Sequence, residues 1–129
     1  MLIEKNDFDL SLLMPYFTED KDYPKEVCLA ELLEWRKYPD FLVILHTGDN
    51  NEINGFMIAH RVRNTLWIHQ CWHKPEPDLK IAKQSLEYAK DWAYGKGMTS
   101  ITFETNREEG RAWERLGFFP YTVNYKCEV

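Results

Sequence analysis

The sequence predicts an α+β (α/β) domain, a sheet flanked by helices, and three stretches predict it. Thr65-Leu66-Trp67-Ile68-His69-Gln70-Cys71-Trp72-His73 is rich in the aromatic and β-branched residues of a buried strand, and a helical repeat follows it from Asp78 to Gly97. Phe41–His46 and Asn54–Arg63 are apolar runs on either side of Gly48-Asp49-Asn50-Asn51-Glu52, the composition of a hairpin turn. The last residues alternate with a period of two. Tyr121, Val123, Tyr125, Cys127 and Val129 fall on an inward face, and Thr122, Asn124, Lys126 and Glu128 on the other.

At 129 residues the chain predicts a single domain, residues 1–129, long enough to bury a core. Its 44% hydrophobic and 15% aromatic content argues against disorder. The net charge of -5 excludes a nucleic-acid backbone as partner, because phosphate binding needs clustered Lys and Arg. No apolar run reaches membrane-spanning length, and Met1-Leu2-Ile3-Glu4-Lys5 does not read as a signal peptide. Cys28, Cys71 and Cys127, odd in number and widely spaced, predict small core residues in a reducing compartment. The expectation is a cytoplasmic protein.

In order, Met1–Glu4 predicts a short strand, and Asp9–Met14 a brief helix that Pro15 limits to a turn or two. Thr18–Tyr23 is a charged loop, either solvated surface or a rim for a cationic amine. Pro24 suits the first turn of a second helix, whose apolar stripe of Cys28, Leu32 and Trp35 runs up to Tyr38-Pro39. The hairpin follows, Asn64 turns the chain into the strand from Thr65, and Lys74-Pro75-Glu76-Pro77 ends that strand. Asp78 is the expected N-cap of the next helix. Ala82, Leu86, Ala89 and Ala93 form its buried face, and Gly95 and Gly97 its end. Such a strand-to-helix junction presents unpaired amides and a positive dipole end, which favour an anion; a plain connection with no ligand is the alternative. Thr99–Thr105 predicts another strand. Asn106 caps a short helix, with Glu109 as capping-box partner, Trp113 and Leu116 as anchors and Gly117 as terminator.

This order resembles the GNAT superfamily of acyl-CoA-dependent N-acyltransferases over nearly the whole chain. Asn106, followed by Trp113-Glu114-Arg115-Leu116-Gly117-Phe118, looks like the family's Asn…Tyr-Glu-Lys-Leu-Gly-Phe segment, while Phe41-Leu42-Val43 and Ile53-Asn54-Gly55-Phe56 look like its paired second and third strands. The resemblance implies a mixed, mostly antiparallel sheet splayed between its fourth and fifth strands. It also implies acetyl-CoA as co-substrate, with the pyrophosphate at the N-terminus of the helix that follows the fourth strand. The acceptor would be an amine on a small molecule, a protein lysine or an N-terminus; oligomeric state stays open, a dimer included. Two positions depart from the family pattern. Its Gln/Arg-x-x-Gly-x-Gly/Ala loop aligns with Pro77-Asp78-Leu79-Lys80-Ile81-Ala82, where only Ala82 matches, and Lys80 replaces a glycine that lets backbone approach phosphate. Lys80 either obstructs that approach or offers a cationic contact. Trp113 stands where many members carry the tyrosine that protonates the departing thiolate.

Acyl transfer requires a deprotonated amine, a polarised thioester carbonyl and both held in reach. By resemblance, the strand around Cys71, Trp72 and His73 supplies the carbonyl contact. The amides of Leu79, Lys80, Ile81 and Ala82, with Asn106, hold the cofactor. His69 is the candidate base, its imidazole expected below its free pKa by desolvation, with Glu104 second; Tyr125 and Tyr121 are candidate acids in place of the missing tyrosine. Against each stands the reading of a hydrogen-bonded core residue. Strand alternation places His69, Cys71 and His73 on one face, a zinc-like set. Such a strand spreads them about 6–7 Å apart per step, so no metal is assigned. The tryptophans read as core packing or as an aromatic platform. Two functions remain, an N-acyltransferase and a GNAT-like binding or assembly module with a weakened cofactor site.

Overall fold

The structure, a computed structural model, describes residues 1–19, 23–103, 113–119 and 127–128. Strand β1 (Leu2–Glu4) leads through a short 3-10 helix (Leu10–Tyr16) to helix α1 (Lys25–Trp35). Strands β2 (Phe41–Thr47), β3 (Ile53–Val62) and β4 (Thr65–His73) follow, then helix α2 (Lys80–Gly95) and strand β5 (Ser100–Phe103). Among the described residues these strands form one sheet in the order β1-β2-β3-β4-β5. Every junction is antiparallel except the last, where Thr65–Ile68 run parallel to Ser100–Phe103. Parallel neighbours need a crossover, and α2 is that crossover. This is the mixed, mostly antiparallel α+β sheet flanked by helices that the sequence predicts.

The period of two in β2 and β3 sorts the core into two layers. Phe41, Val43, Leu45, Phe56 and Ile58 face the 3-10 helix and α1, packing on Leu10, Leu13, Cys28 and Leu32. Leu42, Ile44, Met57 and Ala59 face α2, packing on Ala89, Ala93 and Met98. β2 is buried on both faces, which explains its continuous apolar run.

Several local expectations are corrected. Pro15 lies inside the first helical segment; a 3-10 run tolerates it, and the Asp9 carboxylate caps the start by accepting the Ser11 amide at 3.1 Å. Helix α1 ends at Trp35, well short of Pro39. The N-cap position of α2 is held by Leu79 in a left-handed conformation (φ 56°) rather than by Asp78. Cys127 is exposed, whereas alternation placed it inside. The remainder of the last strand, with Glu109 of the expected capping box, lies outside the described residues. Gly117 does end a turn, at φ 99°, and the Phe118 amide reaches back to the Trp113 carbonyl at 3.2 Å.

Candidate functional site: the cleft at the parallel junction

Pairing between β4 and β5 covers Ile68↔Phe103, and β4 then runs on to His73. A cleft of about 330 Å3 opens there, lined by Cys71 and His73 from β4, Ile81, Ala82 and Ser85 from α2, and Trp113. Trp113 packs on Phe103 with ring centroids 4.6 Å apart.

Gly55 brings α2 to this place. It pairs with His73, and a Cβ on it would lie 2.7 Å from the Ile81 side chain and 3.0 Å from the Trp72 carbonyl. Only a residue without a side chain lets the first turn of α2 settle on the end of β4.

A bulge divides β4. Ile58 pairs with Gln70 and Ala59 with Ile68, which leaves His69 as the extra residue. Alternation reverses there. Gln70 and Trp72 face the α1 side, while Cys71 and His73 face α2. The expected common face for His69, Cys71 and His73 is therefore absent. His69 turns to α1, where the Trp35 ring stacks on it at 4.2 Å and on His60 at 4.8 Å. A hydrogen bond joins His69 Nε2 to His60 Nδ1. Burial, followed by the neighbouring His60, pushes the His69 imidazole down to about 3; burial lowers His60 as well. Both rings are neutral at pH 7.

Gln70 is a buried amide satisfied from both ends. Its Oε1 accepts the Thr18 amide at 2.9 Å and its Nε2 donates to the Thr18 carbonyl at 3.0 Å. That pair ties the loop before α1 to the bulge. Beside it, the Tyr23 hydroxyl donates to Glu31 Oε2 at 2.7 Å, and burial first, then Glu31, raises the Tyr23 phenol. Burial also raises the Cys28 thiol.

The α2 N-terminus differs from an open anion site. The Ile81 amide donates to Glu76 Oε2 at 2.9 Å and the Lys80 amide to Asp78 Oδ1 at 3.3 Å. Two of the four amides that the sequence offers to a phosphate already hold the chain's own carboxylates. Lys80 lines a broader groove of about 810 Å3, together with Lys74, Glu76 and Lys83. The residues present do not fit a pyrophosphate at this position. Glu104, Asn106, Tyr121 and Tyr125 lie outside the described residues.

Sequence reasoning missed Glu76, His60 and the Gln70 clamp. A glutamine inside an apolar strand was the available signal, since a buried amide must find partners. Glu76, between two prolines, carried no periodic signal.

A mixed sheet with one parallel junction, crossed by a helix and opening into a cleft at that junction, defines the class. The acetyltransferase (GNAT) family profile matches residues 10–118, and the chain belongs to that family. No curated protein matches it in sequence. Among solved structures, a putative acetyl transferase from Pyrococcus furiosus is similar at a TM-score of 0.75 and 13% identity, covering 100% of this chain and 99% of that one. Aminoglycoside N-acetyltransferase AAC(6')-Iy, solved with CoA, gives 0.72 at 17% identity, covering 100% and 95%. Glucosamine-6-phosphate N-acetyltransferase from Arabidopsis thaliana gives 0.62 at 14% identity, covering 99% and 98%.

Proposed function

We propose that the chain is an N-acyltransferase that moves an acyl group from a thioester to an amine by direct transfer. The observation that carries this reading is the cleft at the end of β4, walled by Ile81, Ala82, Phe103 and Trp113 and of a size to take an acyl-pantetheine arm. In an arm laid there, the thioester carbonyl would lie near the backbone around Cys71 to His73. The amine nitrogen then attacks the carbonyl carbon, the C–S bond breaks, and the thiolate leaves with the electron pair.

The amine must shed a proton and the thiolate must gain one. His69, whose neutral imidazole also lines the cleft, is the group we assign to the first step; Tyr125 or Tyr121 is assigned to the second. A net charge of -5 favours a cationic acceptor, a small-molecule amine or a protein lysine or N-terminus. An assay of thioester cleavage across a panel of amines, with the acylated product identified by mass, tests the reading. Product from at least one amine is expected, and thioester consumed only by water would overturn it.

A second reading is a GNAT-fold binding module without transfer activity. The Glu76 and Asp78 contacts at the start of α2 favour it, because they fill the position where an anionic donor would be held.

A further inference from the structure

The four residues ahead of Leu79 are chemically unusual for the start of a ligand-binding helix. Pro75 and Pro77 fix the backbone on both sides of Glu76, and Leu79 adopts a left-handed conformation at φ 56°. The chain thereby folds back on its own helix. Glu76 Oε2 lies 2.9 Å from the Ile81 nitrogen, and Asp78 Oδ1 lies 3.3 Å from the Lys80 nitrogen. The Ile81 side chain packs over Gly55, where an added Cβ would lie 2.7 Å from it. Two carboxylates thus take the amides and add negative charge where a phosphate oxygen would have to come. The cleft a few ångströms further on keeps an apolar lining from Ile81, Ala82, Phe103 and Trp113.

We propose that Glu76 and Asp78 serve as a built-in substitute for the pyrophosphate, so that the cleft takes the uncharged pantetheine arm of an acyl thioester and discriminates against coenzyme A. The proposal rests on reading the cleft as a thioester site. Its chemistry is simple. An amide can donate to one anion at a time, and a carboxylate supplied by the chain carries no translational entropy cost that an external phosphate must meet. A donor without phosphates needs only the end of β4 and the apolar walls.

Calorimetric titration with acetyl-pantetheine and acetyl-CoA tests this without relying on turnover. The wild-type protein should bind acetyl-pantetheine at least as tightly as acetyl-CoA, and added salt should improve acetyl-CoA binding by screening like charges. The double variant Glu76→Gln with Asp78→Asn keeps side-chain oxygens that can accept the two amides while removing the charge. It should bind acetyl-CoA about tenfold more tightly and leave acetyl-pantetheine within twofold. Wild-type preference for acetyl-CoA of tenfold or more, weakened by salt, would overturn the proposal and leave the acyltransferase reading intact. If neither protein binds either compound, the thioester reading of the cleft falls, and this proposal falls with it.

Discussion

His69 illustrates how one inserted residue redirects chemistry. Alternation alone aims it with Cys71 and His73; the bulge instead lays it beside His60 beneath Trp35. Its depressed pKa makes a pH prediction with a definite sign. An unfolded chain takes up protons below 6.5, whereas folded His69 refuses them until about 3 and burial lowers His60 as well. Stability should therefore fall as pH drops through that window, and the pair adds no slope above it. In thermal melts the variant His60→Asn with His69→Gln should show a shallower acid-side slope than wild type. For catalysis, His69→Gln should lower turnover about 10²-fold while donor affinity stays within a few-fold. Equal turnover from pH 6 to 9 would make His69 a packing residue. Gln70→Leu should cost about 1–3 kcal/mol in chemical denaturation, because it strips both bonds from the Thr18 backbone. The two residues were unequally legible. A polar residue in an apolar strand announces that it has partners, but a bulge depends on the neighbouring strand and leaves no periodic trace.

The strands and α2 were legible because each carries a strong pattern. Observed β2, β3 and β4 fall within a residue or two of the apolar runs, and the buried face of α2 contains all four predicted residues, Ala82, Leu86, Ala89 and Ala93. What stayed hidden was how α2 begins. Capping depends on loop geometry, and Leu79 in a left-handed conformation has no propensity signature. Gly55 is the element-scale control on the site. Gly55→Val should push Ile81 off the sheet at a cost of about 1–3 kcal/mol, as overpacking does. The accompanying displacement of the α2 first turn should appear as faster amide exchange at Ile81 and Ala82, with Leu86 and Ala89 unaffected.

At the scale of the molecule, the described strands are adjacent in space in the order in which they are synthesised. The resemblance in sequence anticipated one part of this, a fourth and a fifth strand side by side, since it implied a sheet splayed between them. The sheet has a kinetic consequence. β2, β3 and β4 are joined by turns of five and two residues, so their pairing closes only short loops. β5 joins only after α2 has crossed over, a far longer closure. Local pairing of this kind forms ahead of distant pairing in the transition state of folding. Ile58→Val, in the middle of the three-strand meander, should slow refolding, whereas Ala89→Gly, on the crossover helix, should mainly accelerate unfolding. Stopped-flow chevrons of the two variants separate the cases. The cleft walls supplied by α2 and β5 would then be the last part of the protein to assemble and the first to open, and a ligand seated between them and β4 would act chiefly as a brake on unfolding.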